Sequence, residues 1–230
     1  MMTAKAIVLS LAVFGVAGQA WMDSFQVNLN ELATEGENPY FVLKPGYQLT
    51  LEKKKEGGKL VQLVVTVLQE TMNVGGVNTR VVEERETSGG QLVEVSRNFF
   101  AIHPRTRDVY YFGEDVDMYK NGKLDNHDGA WRHGTNNARF GLFMPGMPKI
   151  GMRYYQEYAP KVAMDRSEVV SLDERSQTPA GVFDKCVKMK ETTPLERFAR
   201  EFKVFAPGIG LVQDGDLKLV SHKYVQIAAR

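Results

Sequence analysis

Alternation with a period of two, cut at short intervals by glycine turns, runs through most of this 230-residue chain. It is clearest in Lys59–Glu70, KLVQLVVTVLQE. Val61, Leu63, Val65 and Val67 fall on one side of a pleated strand, and Leu60, Val64 and Leu68 lie among polar residues on the other. Four of the twelve residues are Val and one is Thr, and β-branched side chains fit a pleated surface better than a helix. This stretch reads as a central strand with one fully buried face and one partly buried face.

The same grammar extends in both directions. Gly57-Gly58, Asn73–Asn78 and Ser88-Gly89-Gly90 separate runs at 48–53, 60–70, 79–87 and 92–102, and Val109–Phe112 follows the turn at Pro104–Asp108. Connections this short join antiparallel neighbours, because a parallel pair needs a crossover of about a dozen residues. Residues 40–125 are therefore expected to form one meander. Strands resume at 168–173, 183–191, 202–205, 210–213 and 216–225, with Asp214-Gly215 as a hairpin turn. Thr193-Pro194-Leu195-Glu196 carries the signature of a helix start, with Thr193 as cap, and predicts one short helix. The expected class is all-β and mainly antiparallel. A single curved sheet would form an open or half barrel, with a long irregular plug loop and little helix.

Ala6–Val16 is an eleven-residue apolar run behind Lys5, too short to span a bilayer. Gly18 and Ala20 stand at the −3 and −1 positions of a cleavage site after Ala20. Residues 1–20 are read as a signal peptide, 21–38 as a flexible N-terminal arm, and 39–230 as a single β domain. The expected location is periplasmic or secreted, with no transmembrane segment in the mature chain. The sequence holds 29 Lys and Arg against 28 Asp and Glu, and loss of Lys5 with the leader makes the balance even. No basic tract or whole-protein field favours nucleic acid. Cys186 is the single thiol, which excludes an intrachain disulfide. It reads as a small buried hydrophobe.

Residues 129–158 break the pattern. They are rich in large apolar groups interrupted by prolines and glycines, and a segment of that kind covers something or binds something. It can plug the open side of the curved sheet, or it can form the wall of a pocket for an apolar ligand. Trp131, Phe140, Phe143, Met144, Met147 and Tyr155 are the candidate ligand-binding residues.

Two phrases carry a family resemblance: Leu43–Leu51, LKPGYQLTL, and Phe205–Val212, FAPGIGLV. With the meander, they resemble uncharacterised bacterial exported proteins of a LolA-like half-barrel fold. In lipoprotein carriers of that shape the concave face holds acyl chains. The resemblance implies an exported, non-catalytic protein holding an apolar or lipid-like ligand between the curved sheet and residues 129–158.

The densest polar constellation is Phe112–Trp131, FGEDVDMYKNGKLDNHDGAW. Asn121-Gly122 predicts a type I′ hairpin turn. That turn sets Lys120 against Lys123, Asp117 against Asn126 and Asp115 against Asp128, and gathers Asp115, Asp117, Asn126 and Asp128 on one face. Like charges directly opposite destabilise a sheet. The expectation is either a solvated hairpin tip or a Ca²⁺ site, since carboxylate and amide oxygens suit a hard cation. His127 and His133 lie six apart, which matches no familiar zinc spacing. Two other functions remain open: an envelope hydrolase using the Asp115–His133 region, and an envelope scaffold that docks a protein partner.

Overall fold

The computed structural model describes residues 20–227. The apolar run at 6–16 and its cleavage signal thus lie outside the described residues, apart from Ala20. Two 3₁₀ turns, Leu29–Glu31 and Glu56–Gly58, are the helical segments among the described residues, and no helix there is long and apolar enough to cross a membrane.

A small ribbon comes first: β1 (Gly36–Asn38) pairs with β2 (Phe41–Leu43). The meander follows as β3 (Tyr47–Lys54), β4 (Leu60–Val74), β5 (Val77–Ser88), β6 (Gln91–Ile102) and β7 (Val109–Lys120). Short strands come next: β8 (Lys123–Asn126), β9 (Trp131–Arg132), β10 (Arg139–Met144), β11 (Arg153–Tyr155) and β12 (Glu157–Tyr158). The chain ends in β13 (Arg166–Thr178), β14 (Gly181–Thr192), β15 (Arg200–Ala206), β16 (Gly210–Asp214) and β17 (Leu217–Tyr224). All but β1 and β2 belong to one sheet in the order β11-β13-β14-β15-β16-β17-β3-β4-β5-β6-β7-β10-β12, with β8 and β9 added along β7. Every pairing in it is antiparallel.

The strand at 60–70 follows its alternation in the main: Val61, Leu63 and Val67 are buried and Leu60 is 37% exposed. Val65 of the same face as Val61, however, is half-buried at the cavity wall, and Thr66 on the other face is buried. The hydrogen-bonded ladder remains open and is not closed into a barrel. Its two ends are nevertheless neighbours in the chain, because β11 forms one and β12 the other with Gln156 alone between them. A glycine makes that junction possible. A Cβ on Gly141 of β10 would lie 2.3 Å from the Gln156 carbonyl oxygen, so only a residue without a side chain admits the crossing.

Three details differ from the expectations. Residues 129–158 are not irregular throughout; they supply four short strands, including both sheet ends. The 21–38 arm, expected to be flexible, is held along its length. Met22 bonds to the backbone of Arg153 and Tyr155, Ala33 exchanges two hydrogen bonds with Ile102, and Arg80 donates to the Thr34 carbonyl and the Glu35 carboxylate. The helix at Thr193 does not form. Thr193 Oγ1 accepts from Leu195 N in a local turn, and Leu195 and Phe198 are left 48% and 86% exposed. A single turn with no apolar face against the core does not repay helix nucleation.

Candidate functional site

The curled sheet surrounds a cavity of about 320 Å³. Strands β3 to β7 and β14 to β16 all turn side chains into it, and the remaining side is covered by Phe41 and Val42 of the β1–β2 ribbon, Phe143 of β10, Gln156 and Glu157. The ribbon is pinned there by Asn38, whose Nδ2 donates to the carbonyls of Arg107 and Pro145 at 2.8 and 3.0 Å, and by the Pro39 carbonyl, which accepts from Gly208 N. The cover expected from residues 129–158 is thus shared with an N-terminal ribbon.

The lining changes character along the strands. On β6 the residues that reach the cavity run Glu94, Ser96, Asn98, Phe100. Register then grades the neighbouring strands: polar Glu84 lies opposite Ser96, Val82 opposite Asn98 in between, and aromatic Tyr111 opposite Phe100. Across the cavity Lys203 pairs with Asp214, and Phe205 with Leu211. One part is therefore aromatic. Phe100 stacks on Tyr111 with ring centroids 4.8 Å apart, and Phe41 and Phe143 close on Phe100 at 5.2 and 4.8 Å. The other part is acidic. Glu84, Glu94, Glu114, Glu157, Asp165, Glu191 and Asp214 all line it, with Lys203 as the one cation among the described residues. Asp165 is exposed, so the acidic part of the lining reaches solvent.

These charges perturb one another. Burial pushes the Glu84 carboxyl up to about 7, against the pull of Lys203. Burial also raises Glu114, with Glu84, Glu94 and Asp165 adding to the rise, and burial raises Glu157, with Glu114 and Asp165 adding to it. Burial raises Glu191 as well, although Lys203 opposes it. For Lys203 itself, burial acts downward, but Asp214, Glu191 and Glu84 together hold the ammonium well above the ordinary lysine range. Its Nζ lies 3.0 Å from Glu191 Oε2 and 3.8 Å from Asp214 Oδ2. The second oxygen of each carboxylate, Glu191 Oε1 and Asp214 Oδ1, is buried with no hydrogen-bond partner among the described residues.

Of the six residues proposed from sequence, Phe143 lines this cavity. Trp131 is one step behind the wall: its Nε1 donates to Glu157 Oε2 at 2.7 Å, and its ring meets Tyr111 edge-on. Phe140 packs instead with Phe112, Tyr110, His133 and Phe25. Met144 is fully buried, Met147 is 73% exposed, and Tyr155 lies beside Trp21 and Tyr158. None of these four lines the cavity.

The acidic hairpin is arranged differently from its expected register. Asn121 and Gly122 take positive φ, and Lys120 faces Lys123 as predicted. A bulge then sets Asn126 opposite Met118 rather than Asp117, because one extra residue on β8 shifts every later partner. Asp115 lies opposite Arg97 on β6, and Arg132 Nη2 holds both of its oxygens at 2.7 Å. Asp117 lies 2.9 Å from His127 Nδ1. Asn126 accepts from Asp128 N. Among the described residues, no three His, Cys, Asp or Glu side chains converge to hold a metal ion. His133 packs against Phe112 and Phe140, and burial lowers its pKa. Cys186 is buried in β14, where burial pushes its thiol up to about 11, the opposite of what a thiolate nucleophile requires.

The acidic lining escaped sequence reasoning. Glu84 stands in Glu83-Glu84-Arg85-Glu86, where an arginine is paired with acids along a strand. In the fold, Arg97 reaches Glu83 on one face while Glu84 points into the cavity on the other. Asp214 falls outside the turn its sequence predicts: register makes Gly215-Asp216 the loop and leaves Asp214 on β16. Comparison with protein-family models, curated proteins and solved structures gives no match for this chain.

Proposed function

We propose that the chain is an exported binding protein, without catalysis of its own, that holds one apolar or lipid-like ligand in the hollow of its curled sheet. The cavity carries this reading. At about 320 Å³ it lies at the small end of ligand pockets, and it combines an apolar wall with a few convergent polar groups. Its size suits one small amphiphile better than a two-chain lipid. The cover formed by the β1–β2 ribbon and Phe143 takes the place first assigned to residues 129–158 as a whole.

Export is part of the same proposal. Cleavage after Ala20 would leave the Met22 pairing with Arg153 and Tyr155 in place, and would leave Trp21 stacked beside Arg166, whose guanidinium lies 4.5 Å from the ring centroid. The half-barrel resemblance and the open curved sheet agree with a carrier.

Fluorescence titration with N-phenylnaphthylamine, an uncharged aromatic probe, tests the reading. Saturable one-to-one binding is expected, and Leu211→Trp, which fills the hollow, should abolish it. A folded wild-type protein that shows no saturable enhancement overturns the proposal.

A further inference from the structure

The two unpartnered oxygens are the least expected feature of the hollow. A buried acceptor without a donor is costly, and native proteins rarely leave one unexplained. Glu191 is 9% exposed and gives only one oxygen to Lys203; the other is buried, lines the cavity and accepts nothing. Asp214 repeats the arrangement across the same ammonium. Both unpartnered acceptors therefore belong to carboxylates that face the same ammonium through their other oxygen, at 3.0 and 3.8 Å.

The surroundings restrict what could fill them. Seven acidic side chains face one lysine, and with Glu114 and Glu157 protonated at neutral pH the others still outnumber it. An anion would therefore meet like charge, and a cation would relieve it. A bare divalent ion is a poor fit, because it needs six or more oxygens and, among the described residues, no three acidic side chains converge to hold one. An organic cation needs only two or three acceptors for its N–H groups. The aromatic and aliphatic part of the same lining, Phe100, Phe143, Phe205 and Leu211, matches an apolar body attached to it.

We infer that the hollow takes an amphipathic organic cation, its ammonium or guanidinium group donating to Glu191 Oε1 and Asp214 Oδ1 and its apolar body lying along Phe100, Phe143, Phe205 and Leu211. This rests on the ligand-binding reading above and names the chemistry of that ligand. Charge-assisted hydrogen bonds in a desolvated site supply the preference.

Calorimetric titration of the mature chain at pH 7 with octylammonium, octanol and octanoate tests it, because the three probes share one apolar body. Octylammonium should bind one-to-one and about tenfold more tightly than octanol, the factor one charge-assisted hydrogen bond supplies; octanoate should bind more weakly than either. In Glu191→Gln the advantage of the amine over the alcohol should shrink to less than about threefold. Asp115→Asn, on the outer hairpin, should retain it. If octanol or octanoate equals octylammonium on the wild type, the cation assignment is overturned while the cavity reading stands. If none of the three binds, both fall. The wild-type comparison decides the matter even if Glu191→Gln does not fold.

Discussion

This molecule has two acidic regions, and they obey different physics. The β7–β8 hairpin carries Asp115, Asp117, Asp125 and Asp128 within fourteen residues of sequence. Its charges are exposed or shared with Arg132 and His127. The hollow gathers acids from positions as far apart as Glu84 and Asp214, and shares one lysine among them. In the first region water and nearby cations screen the charges, so crowding in sequence costs little. In the second, desolvation dominates, and Glu84 and Glu114 hold their protons to about pH 7 and 8. Local density of charge is therefore a poor guide to electrostatic consequence; the face of the strand that carries it decides.

Removing the shared cation should break this contrast most severely. Lys203→Met leaves buried carboxylates with no counter-charge, and truncating one partner of such a group costs about 3 kcal/mol or more. Urea unfolding at pH 7 should show that loss. At pH 5 the loss should be smaller, because Glu84, raised to about 7, and Glu114, raised to about 8, are then protonated. A cost under about 1 kcal/mol at pH 7 would mean that the lining is better hydrated than its burial implies.

Gly141→Ala should come next. Its methyl group would press on the Gln156 carbonyl, backbone against backbone, at a cost of roughly 2 kcal/mol by analogy with overpacked cores. Hydrogen exchange should speed up at Gln156 and Glu157, where the two sheet ends meet. Unchanged exchange at those amides would show that the junction does not depend on the close approach.

The pH dependence of stability sharpens the same comparison. Folding raises the pKa of Glu84 to about 7. Below pH 4.5 both folded and unfolded chains hold this proton. As pH rises, the unfolded chain ionises first, and the folded chain keeps the proton until about 7. The unfolded state thus gains stability throughout that window and no further above it. Between pH 5 and 8 the wild type should lose on the order of 2 kcal/mol from this group, and Glu84→Gln should flatten the decline. A stability that rises steadily over the window would contradict the burial of these acids.

The outer hairpin should give the smallest response. Asp115→Asn removes an exposed pair with Arg132 and should cost about 0.5 kcal/mol. Millimolar Ca²⁺ should leave the melting temperature of the wild type where it was. A calcium-dependent rise would restore the hairpin as a cation site.

Much of the architecture was legible in sequence. The alternation at 60–70, the glycine turns and Asn121-Gly122 are local signals, and local signals fix strands and hairpins. The candidate site was not legible for an equally physical reason. Glu94, Ser96 and Asn98 alternate with Val95, Arg97 and Phe99, so polar residues occur on both faces of β6 and the sequence does not reveal which face turns inward. On the neighbouring β7 a register shift lets Tyr111 and Glu114, three residues apart, both face the hollow, which simple alternation does not foretell. The aromatic segment at 129–158 drew attention for its composition, yet its strands chiefly form the sheet ends and the outer packing. Phe143 is the one proposed contact that reaches the hollow.

Carbon-13 titration of the glutamate side-chain carboxyls, assigned by single Glu→Gln substitutions, probes the buried acidic hollow most directly. Glu84 should titrate near pH 7, with Glu114 and Glu157 also well above the ordinary carboxylate range. If every glutamate has finished titrating by about pH 5, as in an unfolded peptide, the curled sheet does not enclose these groups.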